Sequence, residues 1–190
     1  MKNTFQVINR MVEDGVIGRY AIGGAVAALN FIEPTLTDDL DILISVDELA
    51  TQRSSGFATL EPIFTYLRKA GYTEFKREGI VIEGWPVQFL PVANDLDAES
   101  LALAIEIEIE IGGNAPSIKV RTLRAEHVVA SALRVDRPKD RIRICQFLAE
   151  NAVDLAALRA VLDRHGMREA WSKFCVRTGI PDPYDVKFKP

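Results

Sequence analysis

Two aspartates one residue apart are the clearest candidates for chemistry in this chain. Asp39 and Asp41 flank Leu40 at the start of an apolar, β-rich stretch. Because strand side chains alternate between faces, the two carboxylates should share one face, about 6–7 Å apart, while their apolar neighbours enter the core. Such charges repel unless a cation or water screens them. Oxygen ligands at this spacing suit Mg²⁺, which binds one or two carboxylates and completes its shell with water and phosphate.

A glycine pair upstream has the second pattern with chemical meaning. Gly23 and Gly24 follow a short apolar stretch and precede a run of small apolar residues that is typical of a helix. A strand-glycine-glycine-helix turn lets a phosphate approach the backbone, and the N–H groups at a helix start favour an anion. Each feature also has a plain structural explanation: close strand–helix packing for the glycines, and a solvated loop for the aspartates. Their combination and order indicate a site for a nucleoside triphosphate and its metal.

The elements that must position these residues can be predicted from hydrophobic periodicity. Apolar residues at helical spacing predict helices, and β-rich or strictly alternating runs predict strands. The N-terminal part is expected to have helices at 3–14, 25–29, 59–70 and 97–104, strands at 19–22, 40–45, 72–76, 80–83, 87–90, 105–111 and 117–122, a loop at 32–37, and turns at 84–86 and 112–114.

After residue 122 the pattern becomes helical to the end of the chain. Helices are expected at about 125–134, 139–150, 154–165 and 167–177. The predicted fold class is α/β (α+β), a mixed sheet flanked by helices with a C-terminal helical part. We expect an α/β core over residues 1–122 and a helical region over 123–190 that packs on it, since no flexible linker separates them.

Charge is unevenly distributed in a chain of ordinary globular composition. The 190 residues carry a net charge of −4, and 48% are hydrophobic. Residues 33–48 contain six acids and no base, whereas residues 119–147 contain eight bases and three acids. This asymmetry suits a metal and a polyanionic ligand, or else charges that pair within the fold. No apolar run is long enough to span a bilayer, and no signal-peptide core is present, so we expect a cytoplasmic protein and no membrane partner.

The two motifs together resemble those of the nucleotidyltransferase superfamily, the DNA polymerase beta-like fold. The resemblance rests on Ile22-Gly23-Gly24 and on Thr37-Asp38-Asp39-Leu40-Asp41, the latter being most similar to minimal bacterial and abortive-infection toxin-type members. It continues in the helical part, where Glu126–Leu133 and Arg137–Asp140 are similar to that branch's helix pair. The resemblance covers roughly residues 15–165 and implies a nucleotidyltransferase-like mixed sheet.

The resemblance also implies roles for individual residues. Such proteins usually add a third carboxylate from a neighbouring strand, and Gln88 occupies the matching position here; an amide oxygen can ligate a metal but adds no charge. The candidate sites are Asp39, Asp41 and Gln88 for Mg²⁺ or Mn²⁺, Asp39, Asp41 and Lys139 for catalysis, and Gly23, Gly24, Thr37, Arg137 and Lys139 for nucleotide and phosphate. A solvated helix start is the alternative for Arg137 and Lys139, and Asp140 could instead favour the helix dipole.

Two functions are compatible with these motifs. The first is a metal-dependent nucleotidyltransferase, toxin-like in type, that transfers a nucleoside monophosphate from a nucleoside triphosphate to a hydroxyl of RNA, of a protein or of a small molecule. The basic segment favours tRNA among the acceptors. The second, suggested by Gln88, is a catalytically impaired protein of this fold that binds nucleotide, RNA or a protein partner, for example an antitoxin-like one.

Overall fold

The computed structural model describes residues 1–34, 37–45, 60–109 and 117–184. The described elements closely follow the predicted ones. The helices are α1 (Lys2–Glu13), α2 (Gly24–Ala28), α3 (Glu61–Lys69), α4 (Asp95–Ala102), α5 (Ala125–Val135), α6 (Pro138–Ala149), α7 (Leu155–Arg164) and α8 (Arg168–Thr178); the strands are β1 (Tyr20–Ile22), β2 (Leu40–Ile44), β3 (Phe75–Lys76), β4 (Gly79–Ile82), β5 (Trp85–Pro91), β6 (Ile105–Ile109) and β7 (Ile118–Thr122).

The strands form one mixed sheet in the order β3-β4-β5-β2-β1-β7-β6. Strand β2 is central: it pairs antiparallel with β1 and parallel with β5. Its position follows from its composition, since Leu40, Ile42 and Ile44 are fully buried, and only a strand covered on this face can bury so many apolar residues. The predicted fold class, a mixed sheet flanked by helices with a C-terminal helical part, is confirmed.

Two predicted segments differ from the structure in detail. The turn expected at 84–86 lies at Glu83 and Gly84, which have φ values of 51° and 82°, while Trp85 and Pro86 belong to β5. Two consecutive residues with positive φ match the right-handed twist of a two-residue hairpin, so the strands pair on both sides of a tighter turn than expected. The strand predicted at 72–76 is reduced to β3. The turn predicted at 112–114 lies outside the described residues.

The chain divides into two compact units. The first unit comprises residues 1–26 and 35–123, and so contains the whole sheet; the second comprises residues 27–34 and 124–190. In the first unit, Thr4 of α1 donates a buried hydrogen bond to the Ile82 carbonyl (3.2 Å). In the second unit, the rings of Phe31 and Phe147 are in contact, with centroids 6.0 Å apart. In the described parts of both units, no helix has the length and apolar character needed to cross a membrane.

Candidate functional site

The glycine turn and the second aspartate are in direct contact. The Gly23 amide donates a hydrogen bond to the Asp41 carbonyl (2.9 Å), which continues the β1–β2 pairing past the end of β1. The next residue, Gly24, begins α2 with a φ of 57°. A Cβ atom at position 24 would lie 2.0 Å from Asp41 Oδ2. Two separate features therefore require glycine at position 24: the left-handed backbone conformation, and the Asp41 carboxylate that occupies the side-chain space.

Asp39 lies just before β2 and is held by a neighbouring hydroxyl. Thr37 Oγ1 is 3.0 Å from the Asp39 carbonyl oxygen and 3.3 Å from its Oδ1, so the hydroxyl is shared between these two acceptors. This local bonding is characteristic of Thr next to Asp in loops, and it orients the Asp39 carboxylate. The structure places Thr37 beside Asp39, and its assignment as a phosphate-binding residue stays a prediction.

Gln88 lies next to Asp41 on the neighbouring strand. The parallel pairing of β2 with β5 sets Leu40 opposite Val87 and Asp41 opposite Gln88. Val87 and Phe89 are buried and Gln88 is half-buried, as expected if Gln88 faces the side of the sheet that carries Asp41. Gln88 is thus the register partner of Asp41 on β5, and its assignment to the metal site stays a prediction.

The oxygen atoms offered by these residues fit a hard divalent cation. The described residues contain no group of three or more histidine, cysteine, aspartate or glutamate side chains arranged to hold a metal. Mg²⁺ does not require such a group, because it binds through one or two carboxylates and takes its remaining ligands from water and substrate phosphate. Asp39, Asp41 and the Gln88 amide oxygen would supply the protein's share.

The basic residues predicted at the site belong to the second unit. Arg137 donates to Asp140 through Nε (2.7 Å) and Nη2 (3.2 Å), and its backbone N–H donates to the same carboxylate at 3.3 Å. Arg143 Nη1 also donates to Asp140 Oδ1, at 3.2 Å. Asp140, 1% exposed, thus stabilises the start of α6, while Lys139 is exposed to solvent. The triphosphate roles of Arg137 and Lys139 stay predictions.

One ion pair near the aspartates was not anticipated from the sequence. Arg77, in the turn between β3 and β4, has a φ of 56°, and its Nη2 lies 3.2 Å from Asp38 Oδ2. A non-glycine residue with this backbone is uncommon and often marks a functional segment. Arg77 is 39 residues from Asp38 in sequence, and only the pairing of β3, β4, β5 and β2 brings them together. No local motif could have indicated it.

Comparison with known proteins gives fold-level likeness only. A scan against family models and a search of curated proteins found no match. Among solved structures, the chain is similar to the antibiotic-resistance factor ANT(2″)-Ia in solution (15% identity, 92% of this chain and 96% of that one covered, TM-score 0.49) and, in crystals, in complex with adenylyl-2″-tobramycin (14%, 94% and 99%, 0.41). It is also similar to an antigenic nucleotidyltransferase-like protein from Paracoccidioides brasiliensis (16%, 88% of each chain, 0.48).

One of these structures is described as nucleotidyltransferase-like. At these identities and TM-scores, the likeness says nothing about substrate, metal or activity, so the chemistry of this chain must be argued from its own residues.

Proposed function

We propose that this chain is a metal-dependent nucleotidyltransferase. The observation that carries the proposal is the contact between Asp41 and Gly24, which sets a carboxylate directly on the open backbone of a strand-to-helix turn. The fold has no side chain at position 24, and the Asp41 carboxylate occupies that space. Asp39 adds a second carboxylate, oriented by Thr37.

The proposed reaction divides the work among these residues. The Gly23-Gly24 turn would contact the triphosphate through its backbone, next to the Asp41 carboxylate that fills the side-chain space at position 24, and Asp39 and Asp41, with the Gln88 oxygen, would hold Mg²⁺ or Mn²⁺. A bound divalent cation supplies positive charge to the phosphate oxygens. An acceptor hydroxyl forms a bond to the α-phosphorus, the bond to the bridging oxygen breaks, and pyrophosphate leaves with the electron pair. The hydroxyl proton passes to one of the carboxylates, so catalysis consists mainly of positioning and electrostatic stabilisation.

The amide at position 88 favours a second candidate function. With Gln88 in place of a third carboxylate, the site carries one negative charge fewer and should hold cations more weakly. Such weaker cation binding would be sufficient for a protein of this fold that binds nucleotide without transferring it. The acceptor, the toxin-like role and the antitoxin-like or RNA partners are further hypotheses.

Transfer of an α-phosphate label separates the two functions. The chain is incubated with each α-labelled triphosphate, with Mg²⁺ or Mn²⁺, and with total RNA or protein. Label transfer that is lost in Asp41→Asn and kept in Asp95→Asn, an exposed aspartate on α4 of the same unit, supports the transferase. Metal-dependent binding without transfer supports the binding protein. Equal nucleotide binding by the wild type and Asp41→Asn would mean that these residues do not form the nucleotide site.

A further inference from the structure

Two neighbouring rows of paired residues cross the sheet, and the second of them passes through the proposed site. Strand pairing aligns Phe75 with Ile80, Ile80 with Val87 and Val87 with Leu40. The adjacent residue on each strand, in the same direction along the sheet, belongs to a second row, which consists of Lys76, Gly79, Gln88 and Asp41. The Gly23 amide, bonded to the Asp41 carbonyl, continues that second row on β1. The second row therefore runs from Lys76 at one end to the glycine turn at the other.

Lys76 faces the same side of the sheet as Gln88 and Asp41. The residue before it, Phe75, packs its ring against Phe64 of α3, with centroids 5.6 Å apart. Because strand side chains alternate, Lys76 must point away from α3. Lys76 is exposed, and within the described ranges no carboxylate pairs with it.

Gly79 lies between Lys76 and Gln88 in this row and places no side chain between them. The residue is buried, and a Cβ atom there would lie 3.0 Å from the Val87 nitrogen and 3.1 Å from the Pro86 carbonyl carbon, so the backbone of β5 packs closely against it. Lys76 is about 14 Å from Asp41 across three strand spacings. A lysine's flexible four-carbon stem covers part of this span, and a ligand group would cover the rest.

The Arg77–Asp38 ion pair ties the β3–β4 turn to the aspartate motif. Arg77 follows Lys76 directly, and Asp38 directly precedes Asp39. The pair is exposed on both sides, so it contributes little to stability, and it shows that the turn lies close to the motif. Lys76, on the edge strand β3, therefore directly precedes a turn that contacts the aspartate motif.

From this arrangement we infer that Lys76 binds a phosphate group of the acceptor. This inference rests on the proposed function and extends it. The donor triphosphate approaches the glycine turn, at one end of the row, and the transferred phosphoryl group lies over Asp39 and Asp41 in the middle. The acceptor hydroxyl must then arrive from the Lys76 end, where a cation selects a hydroxyl compound that carries phosphate. The source is either a polynucleotide 3′ end or a small sugar phosphate.

Charge reversal at Lys76 tests the inference through acceptor binding. The variants are Lys76→Glu and, as the matched control, Lys69→Glu, an exposed lysine of α3 in the same unit. Binding is measured for a labelled RNA oligonucleotide with a free 3′ hydroxyl, for ribose 5-phosphate and for ribose, and separately for ATP with Mg²⁺. Melting temperatures confirm that each variant is folded. The ribose arm reports binding that needs no phosphate.

Lys76→Glu should weaken binding of the phosphate-bearing acceptor about five- to tenfold and leave ATP binding unchanged, with no effect of Lys69→Glu. If RNA is the acceptor, Lys76→Ala should also reduce the slope of log affinity against log salt by about 0.7. Binding of RNA or of ribose 5-phosphate by the wild type identifies the source.

Three results would overturn the inference: no binding of either phosphate compound by the wild type, unchanged acceptor affinity in Lys76→Glu, or equal losses for acceptor and ATP. Loss of acceptor binding in Lys76→Glu, in a protein that binds no ATP, would support the acceptor site and refute the proposed transferase.

Discussion

Asp140 in the second unit and Asp41 in the first differ in burial and in the groups that contact their carboxylates. Asp140 is 1% exposed and accepts hydrogen bonds from Arg137 and Arg143. Asp41 is half-buried and lies against the backbone of Gly24. The charge of Asp140 is paired with two guanidinium groups, whereas the Asp41 carboxylate occupies the space that a side chain at position 24 would fill. The comparison separates an aspartate that is held by guanidinium groups from one whose carboxylate occupies the space of an absent side chain, and we expect only the second to bind a ligand.

The largest expected effect is on the Asp140 side of the comparison. Asp140→Asn leaves Arg143, a largely buried guanidinium, without its carboxylate, and breaking a buried ion pair from one side costs roughly 3–5 kcal/mol. Urea denaturation would measure the loss in the free energy of unfolding. Asp163→Asn is the control, because Asp163 pairs with Arg168 in solvent, and this change should lower the free energy of unfolding far less. Equal small losses would show that Asp140 is not a structural residue.

A smaller effect is expected for Gly24→Ala, with Gly15→Ala as its control. Both glycines have positive φ, 57° and 67°, so each alanine should cost about 1–2 kcal/mol in backbone strain. Only Gly24 has a carboxylate in the way, whereas a Cβ atom at Gly15 meets nothing within 4 Å. Gly24→Ala should therefore cost more than Gly15→Ala and should displace Asp41, which abolishes nucleotide binding.

A double-mutant cycle isolates the contact between position 24 and Asp41. In an Asp41→Gly background, the cost of Gly24→Ala should fall to that of Gly15→Ala, as judged from unfolding free energies. A cost that stays the same in both backgrounds would mean that backbone strain alone requires glycine at position 24, and the argument for a built carboxylate site would lose its main support.

The sequence predicted the row through the sheet only in part. The alternation around Leu40 and Ile42 predicted the burial of β2, and the small residues after Gly24 predicted helix α2, because both signals are local. The contact of Asp41 with Gly24 was not predicted, since contact between residues 17 positions apart depends on how β1 and β2 pair.

The parts that could not be predicted depend on strand pairing or on uncommon backbone. The place of Lys76 follows from the order of four strands, which no local pattern contains. The turn at Glu83 and Gly84 was assigned one residue too late, because a glutamate with positive φ gives no sequence signal and Pro86 is typical of turns. In contrast, the helices of the second unit were predicted closely, since their apolar spacing is continuous.

A weaker effect, dependent on metal, is expected at Gln88. Gln88→Asp adds a third carboxylate beside Asp41, so without metal the protein should lose about 1 kcal/mol or less through repulsion. With Mg²⁺ the added charge binds the ion more tightly, and melting temperature should rise more steeply with Mg²⁺ than in the wild type. Gln6→Asp, at an exposed position of α1, should follow the wild-type curve. Parallel curves for all three proteins would place Gln88 away from the metal.

The smallest change in stability is expected where the largest change in binding occurs. Replacing Asp39 and Asp41 together by asparagine removes two neighbouring like charges, so without metal the free energy of unfolding should stay within about 0.5 kcal/mol of the wild type or increase. Metal-dependent nucleotide binding should disappear in the same protein. Urea denaturation and nucleotide titration, each with and without Mg²⁺, measure the two effects. A loss of several kcal/mol with nucleotide binding intact would make Asp41 a structural carboxylate like Asp140, and the contrast between the two aspartates would no longer hold.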